Sequence, residues 1–444
     1  MSLQSLSGFR DFYPGDCALR EHIFSVWRAS SRAFGFSQYD GPPLEPLELY
    51  QKKSGDEIVG QLYNFTDKGG REVALRPELT PTFARMAGAR HRDYKKPLKW
   101  FAIPQLFRYE RAQRGRLREH FQWNGDIVGE PSLSAEAELL ALIDHALRGL
   151  GLTREDYVIR VSDRVFWLDF LADRGVTDEK GIYNFLQMLD KIERTPEDEV
   201  RKKLNQFAGS YNLMLRSLEE EKREFADEVF TLLKTGTTGS FLDEIKEKKT
   251  ASPRLNTLLE YCDALGLSDA VEVDLSIVRG LAYYTGVVFE VHDRGGKFRA
   301  IAGGGRYDNL LKLIADVDLP AVGFGMGDVV LGELLRDKNL VPSAADGDSY
   351  YLVITDETLR PQALTLAATL RAGGYRADYP LSAAKVGKQF QAAEERGHRF
   401  ALIVGQEYAA DGVCGLKTLA TREQVNIRPL IEHGKVTSLA PVAC

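Results

Sequence analysis

The chain has 444 residues, of which 44% are hydrophobic, and a formal charge of −6. That length predicts two or three domains with sizeable cores. The mild acidity argues against a generally basic nucleic-acid coat and allows a local basic face. The cysteines Cys17, Cys262, Cys414 and Cys444 form no CxxC pair. They predict reduced thiols in a cytoplasmic protein, with neither a disulfide framework nor a zinc site. The opening stretch lacks the long apolar core expected of a signal peptide, and no apolar run has the length of a membrane span.

After the turn-rich Gly8–Pro14, apolar residues at Leu19, Ile23, Trp27 and Phe34 predict a helix over 18–34. Asp40-Gly41-Pro42-Pro43 ends it, and Leu44–Tyr50 reads as a short strand and turn bearing Glu45 and Glu48. Tyr63–Arg76 reads as a hairpin turning at Asp67-Lys68-Gly69-Gly70. Pro77 disfavours helix at Arg76. Glu78 and Thr80 therefore fall between a strand end and the next helix, where they either face a pocket or cap that helix.

The densest charge lies in Phe107–Gln122, where Arg108, Arg111, Arg114, Arg116 and Arg118 surround Gly115. Apolar runs at Leu98–Ile103 and Phe121–Val128 flank it, so the pattern is strand, basic loop, strand. Guanidinium groups fork onto phosphate and carboxylate oxygens. The stretch is either a loop that closes over a polyphosphate or a solvated charged hairpin.

A helix is expected over 131–150 and a strand over 157–161. Trp167 to about Cys262 is rich in Glu, Lys and Leu, with a break at Thr235–Gly239, and predicts a helical insertion with solvated charged faces. Asp274–Glu290 carries Arg279 and the pair Tyr283-Tyr284. A turn near Asp293-Arg294-Gly295-Gly296 leads to Ala300–Asp308, with Gly303-Gly304-Gly305 inside it. Consecutive glycines on a strand admit a ligand or another backbone. Arg279 offers a cation, and the tyrosines offer either pocket walls or core. Neither phosphate-loop nor dinucleotide spacing fits these glycines. Pro320–Gly327 leads into a helix running to about Leu335, and Asn339–Ser349 is a linker. Strands at 350–354, 375–378 and 400–404 then alternate with helices at 359–372 and 383–396, which predicts a small α/β domain with a largely parallel sheet. Lys385, Lys388 and Gln391 form either a solvated face or a contact surface for an acidic partner.

Taken in order, several of these stretches resemble the histidyl-tRNA synthetase family of class II aminoacyl-tRNA synthetases. They are Gly8-Phe9-Arg10-Asp11, the segment around Pro42, Arg76-Pro77-Glu78-Leu79-Thr80, Phe107–Gln122, Arg279–Tyr284 and Ala302–Asp308. The resemblance implies an α+β fold. A class II antiparallel sheet flanked by helices would occupy 1–338, with the helical insertion at about 169–262. A linker at 339–348 would precede an α/β anticodon-binding domain at 349–444. It also implies activation of histidine by ATP, with Mg²⁺ accompanying the ATP and no metal held by the protein, and then transfer to the 3′ end of tRNA(His). The expected partners are tRNA(His), histidine and a second copy in a homodimer, with no membrane.

By the same resemblance, Arg108 and Arg279 are the catalytic cations at the α-phosphate, and Arg108, Glu110 and Arg116 bind ATP. Glu78, Thr80, Gln122, Asp126, Arg279, Tyr283 and Tyr284 bind histidine. Two positions depart from the family pattern. Ala282 stands where an acid is usual, and Val330 stands where an arginine usually binds the γ-phosphate. Arg336, six residues on, falls on another face of the helix. Arg114 or Arg116 is therefore expected to take the outer phosphates.

Val330 leans towards a rival, the histidine-sensing regulatory subunit of ATP phosphoribosyltransferase. That paralogue lacks a C-terminal anticodon domain, whereas Tyr350–Cys444 looks complete; Arg108, Glu78 and Arg279 also favour catalysis. A prolyl or threonyl enzyme of the same subgroup is disfavoured by Arg279–Tyr284 together with Gly303–Asp308.

Overall fold

The computed structural model describes residues 4–54, 60–110, 115–192, 195–211, 213, 225–236, 252–278, 283–341 and 348–441. Arg111, Arg114, Arg279, Ala282, Thr237–Gly239, Cys444 and most of the expected linker lie outside the described residues. The chain divides into two compact units, Met1–Val341 and Pro342–Cys444. No described helix is long and apolar enough to cross a membrane.

The first unit contributes strands β1 (Ser37–Gln38), β2 (Leu44–Pro46), β3 (Asn64–Thr66), β4 (Glu72–Leu75), β5 (Leu98–Ala102) and β6 (Gln105–Phe107). It continues with β7 (Glu119–Val128), β8 (Tyr157–Asp163), β9 (Val271–Val273), β10 (Val287–Asp293), β11 (Ala302–Arg306) and β12 (Ala321–Gly327). Strands β2, β4 and β3 form a small sheet. The main sheet runs β1-β5-β7-β12-β11-β10-β8-β9, with β6 paired to β7. Its ladders from β5 to β8 are antiparallel, and only the outer pairs β1–β5 and β8–β9 are parallel.

Strand β12 shows how the sheet acquires two unlike faces. Val322, Phe324 and Met326 are buried in the main core and alternate with Gly323, Gly325 and Gly327. The period of two places all the glycines on one face. Glycines interrupt the apolar run, so the sequence alone shows only a lead-in to a helix here. The core face packs on the helices Pro14–Ala33 and Ser134–Gly149; Trp27 stacks on Trp123 at 5.8 Å between centroids. The first of these helices begins at Pro14, earlier than the apolar spacing indicated. Proline suits the first turn, where its missing N–H has no helical partner to lose.

Between β8 and β9 the described residues form helices Arg164–Ala172, Glu179–Asp190, Glu197–Ser210, Phe225–Gly236 and Pro253–Ala264. The first four pack around Phe170, Phe185, Phe207 and Phe225, and Pro253–Ala264 packs on the helix Ser134–Gly149 and on β8. The buried Trp167 indole donates to the Leu275 carbonyl at 2.9 Å and so ties this insertion to the chain beyond β9.

The second unit holds β13 (Ser349–Ile354), β14 (Arg376–Asp378), β15 (Phe400–Val404), β16 (Cys414–Thr418), β17 (Gln424–Glu432) and β18 (Lys435–Pro441), in the order β14-β13-β15-β16-β17-β18. Only β13–β14 and β13–β15 are parallel, so the sheet is mixed rather than largely parallel. The tight turns at Leu419–Glu423 and His433–Gly434 leave no length for a crossover and can join only antiparallel neighbours.

Candidate active site

Strand β7 carries the site. Phe121, Trp123 and Ile127 point into the core, so His120, Gln122, Asn124 and Asp126 share the opposite face. Across the ladder, Gly323 faces Asp126, Gly325 faces Asn124 and Gly327 faces Gln122. A Cβ on Gly323 would overlap Asp126 Oδ1, and one on Gly325 would overlap Gln122 Nε2. The glycine face of β12 is therefore what lets these polar side chains lie across the sheet.

The basic loop is anchored at both ends. The Arg108 amide donates to the Arg118 carbonyl at 2.9 Å, and Arg108 Nε donates to the Pro77 carbonyl at 2.9 Å. Arg116 Nη2 donates to Glu110 Oε1 at 2.7 Å, and Arg118 Nε to the Glu110 carbonyl at 3.0 Å. Arg10, from the Gly8-Phe9-Arg10-Asp11 stretch, reaches Glu119 Oε1 at 2.6 Å and Asp328 Oδ2 at 2.9 Å. One arginine thus joins the start of β7 to the start of the helix Asp328–Asp337.

These elements enclose a cavity of about 220 Å³ lined by Arg108, Arg116, His120, Gln122, Arg299 and Val330, among others, over a floor that includes Gly303, Gly325 and Gly327. A cationic cavity over bare backbone suits a bound polyphosphate. Desolvation, with the nearby Arg108 charge, pushes the His120 pKa down to about 4, so its ring is neutral at pH 7. Arg336 turns elsewhere, meeting Asp16 at 3.4 Å beside a different cavity.

Further along β7 lies a drier cluster. Asp126 is buried and accepts from the Tyr307 hydroxyl. Burial pushes its pKa up to about 7. Its Oδ2 has no hydrogen-bond partner, and the buried Tyr39 hydroxyl likewise has none. Tyr284 packs on Tyr283 with centroids 4.7 Å apart, and Tyr283 meets Tyr307 edge-on at 6.0 Å. A buried carboxylate oxygen without a donor is costly unless a ligand supplies one.

The site residues expected from sequence thus divide. Arg108, Arg116 and Gln122 line the cationic cavity, and Glu110 is engaged with Arg116. Asp126, Tyr283 and Tyr284 belong to the drier cluster. Glu78 and Thr80 sit half-buried at the turn into the helix Thr80–Arg90. That helix has Leu79 at its N-cap and no side-chain capping bond, so neither residue serves as its cap. Arg306 is structural: its Nε and Nη2 clamp the buried Glu136 at 2.6 Å each. Sequence reading missed His120 and Arg299. His120 was within reach, since it lies two residues from Gln122 on the same strand face. Arg299 had no local signal.

Among the described residues no group of three His, Cys, Asp or Glu side chains is placed to hold a metal ion. The cavity is built for anions. An antiparallel sheet with an open glycine face, cations delivered by a loop between its strands, and a separate mixed α/β unit together define a class II aminoacyl-tRNA synthetase.

Residues 8–327 match the family model for histidyl-tRNA synthetase, and residues 348–430 match the model for an anticodon binding domain. The chain belongs to the histidyl-tRNA synthetase family. It is 47% identical to the histidine–tRNA ligase of Opitutus terrae, covering 96% of each chain. It is 38% identical to the chloroplastic/mitochondrial histidine–tRNA ligase of Arabidopsis thaliana, over 95% of this chain and 84% of that one. The crystal structure of a histidyl-tRNA synthetase from a Nostoc species superposes with a TM-score of 0.81 at 25% identity, covering 96% of this chain and 97% of that chain.

Proposed function

We propose that the chain activates histidine with ATP and transfers it to the 3′ end of tRNA(His), as a cytoplasmic homodimer. The observation that carries this reading is the pairing of two unlike environments along β7, a cationic cavity over a glycine floor and a buried cluster holding the unpartnered Asp126 Oδ2.

In the first step the histidine carboxylate oxygen attacks the α-phosphorus of ATP. A carboxyl–phosphate bond forms, the bond to the β-phosphate bridging oxygen breaks, and pyrophosphate leaves. Negative charge builds on the phosphate oxygens, so fixed cations lower the barrier and no protein nucleophile is required. Arg108, anchored at Pro77, holds the α-phosphate and the carboxylate. Arg279 serves as a second cation there. Glu110 faces the adenine, and Arg116 reaches the outer phosphates. Magnesium arrives as part of the ATP substrate. Glu78, Thr80, Gln122, Tyr283 and Tyr284 hold the histidine, and Asp126 accepts from an imidazole N–H. An apolar amino acid would leave that carboxylate unpaired, which favours histidine.

In the second step the acyl group passes from the adenylate to a terminal ribose hydroxyl of tRNA, releasing AMP. The second unit supplies anticodon contacts. Val330, apolar where a cation is usual, leans towards a rival, a subunit that senses histidine and regulates a phosphoribosyltransferase; the match of residues 348–430 to an anticodon binding domain and the full-length likeness to histidine–tRNA ligases favour the ligase. Histidine-dependent ATP–pyrophosphate exchange decides between them. Exchange with histidine alone among the amino acids, followed by charging of bulk tRNA, supports the ligase. Histidine binding without exchange supports the regulator.

A further inference from the structure

We infer that Arg299 grips the outer phosphates of ATP, from the wall of the cationic cavity where the loop, the helix Asp328–Asp337 and the lead-in to β11 meet. The inference rests on reading that cavity as the ATP site.

Arg299 lies just past the β10–β11 turn, three residues before Ala302 opens β11. Arg299, Ala300, Ile301 and Ala302 form one side of the cavity, and Gly115, Arg116 and Leu117 form another. Val329 and Val330, from the first turn of the helix Asp328–Asp337, also line it. These parts meet closely. A Cβ on Gly115 would lie 3.5 Å from Val330 Cγ2 and 3.8 Å from Arg299 Cδ. The stem of Arg299 therefore borders the same point at which the loop and the helix come together.

The placement of the cations around the cavity points to the same residue. The helix presents valine to the cavity, and the next arginine along it, Arg336, is turned to Asp16. Arg116 is held on the loop by Glu110. Arg108 is fixed through Nε at Pro77, beside Gln122 and His120 on the β7 side. His120 is neutral at pH 7. A triphosphate carries more negative charge than one arginine balances, and its far end needs a cation of its own. Arg299 is the remaining arginine among the described lining residues. It stands on a strand lead-in, independent of the loop that carries Arg108 and Arg116. It is solvent-exposed, so its replacement removes no core packing.

The test compares wild type, Arg299→Ala and Arg299→Lys as full-length protein. Two ligands are used: Mg-ATP, and a sulfamoyl analogue of histidyl-adenylate that has no outer phosphates. Arg299→Ala is expected to raise the KM for ATP in histidine-dependent pyrophosphate exchange by roughly tenfold or more. Arg299→Lys should recover part of the loss. Affinity for the analogue should stay within about twofold, because it lacks the groups Arg299 would hold. An unchanged ATP KM in Arg299→Ala overturns the inference. So does an equal loss of affinity for both ligands, which would mean a distorted site. Absence of exchange in the wild type would count against the ligase reading alone. Calorimetric ATP binding to wild type and Arg299→Ala then decides the role of Arg299 on the same criterion.

Discussion

Asp126 and His120 share one face of β7 and titrate in opposite senses. Asp126 is pushed up from 3.8 to about 7 by burial, so the fold keeps a proton that the unfolded chain releases. Its contribution to stability is fully present below about pH 4 and is lost as pH rises towards 7. His120 is pushed down from 6.5 to about 4, so the fold refuses a proton that the unfolded chain accepts. Its contribution is fully present above about pH 6.5 and is lost as pH falls towards 4. The two offset each other across the same window. Asp126→Asn should therefore steepen the loss of stability on acidification from pH 6.5 to 4, and His120→Phe should reduce or reverse it. Denaturant midpoints taken at intervals of one pH unit read this directly; variants that both track the wild-type profile would contradict it. On the proposed mechanism Arg108→Ala removes a cation from the reacting phosphate, and it is expected to lower kcat in exchange by roughly 10²–10³-fold. Arg108 was legible from sequence because the arginines cluster between two apolar runs. Arg299 was not, because nothing beside it in Lys297-Phe298-Arg299-Ala300 marks a site, and only the hairpin brings it to the cavity.

At the level of elements, β12 makes the site by what it omits. Its glycines at 323, 325 and 327 free one face, and Gly304 on β11 points the other way. A Cβ on Gly304 would collide with the Gly323 carbonyl and with the Phe289 ring, neither of which can swing aside. Gly304→Ala should cost roughly 1–3 kcal/mol of stability. A Cβ on Gly325 meets the Gln122 side chain from Nε2 back to Cγ, a flexible chain that can rotate. Gly325→Ala should leave the unfolding midpoint nearly unchanged yet raise the KM for histidine. Paired denaturation and exchange kinetics separate the two cases, and equal destabilisation by both variants would refute the two-face account. Helices and the flanking strands β5, β7 and β10 were readable because their apolar periods are regular. β12 was obscured because glycine carries no hydropathy signal. β16 went unread because Gly415, Lys417 and Thr418 break its apolar run, and β17 because most of it is exposed and its apolar alternation is broken.

The molecule as a whole divides its work between two units with separate cores. In the second, Gln389 reaches across to the Ile354 amide and carbonyl at 2.8 and 2.9 Å, tying the helix Val386–Glu395 to β13. A chain ending at Val341 is expected to keep histidine-dependent exchange within a few-fold while losing most tRNA charging. Charging at the full rate by the shortened chain would show that the second unit is dispensable for tRNA.

By itself the sequence determined the family resemblance, the order of its motifs, the basic loop and the change to an α/β pattern near residue 350. Those features are local: short runs whose spacing and charge are fixed by neighbours in the chain. Only the tertiary structure decided that Arg10 ties β7 to the helix after β12, that Arg306 is structural, and that Arg299 and Val330 border one cavity. Each of those relations joins residues distant in the chain. Sheet pairing brings them together, and no local pattern encodes it.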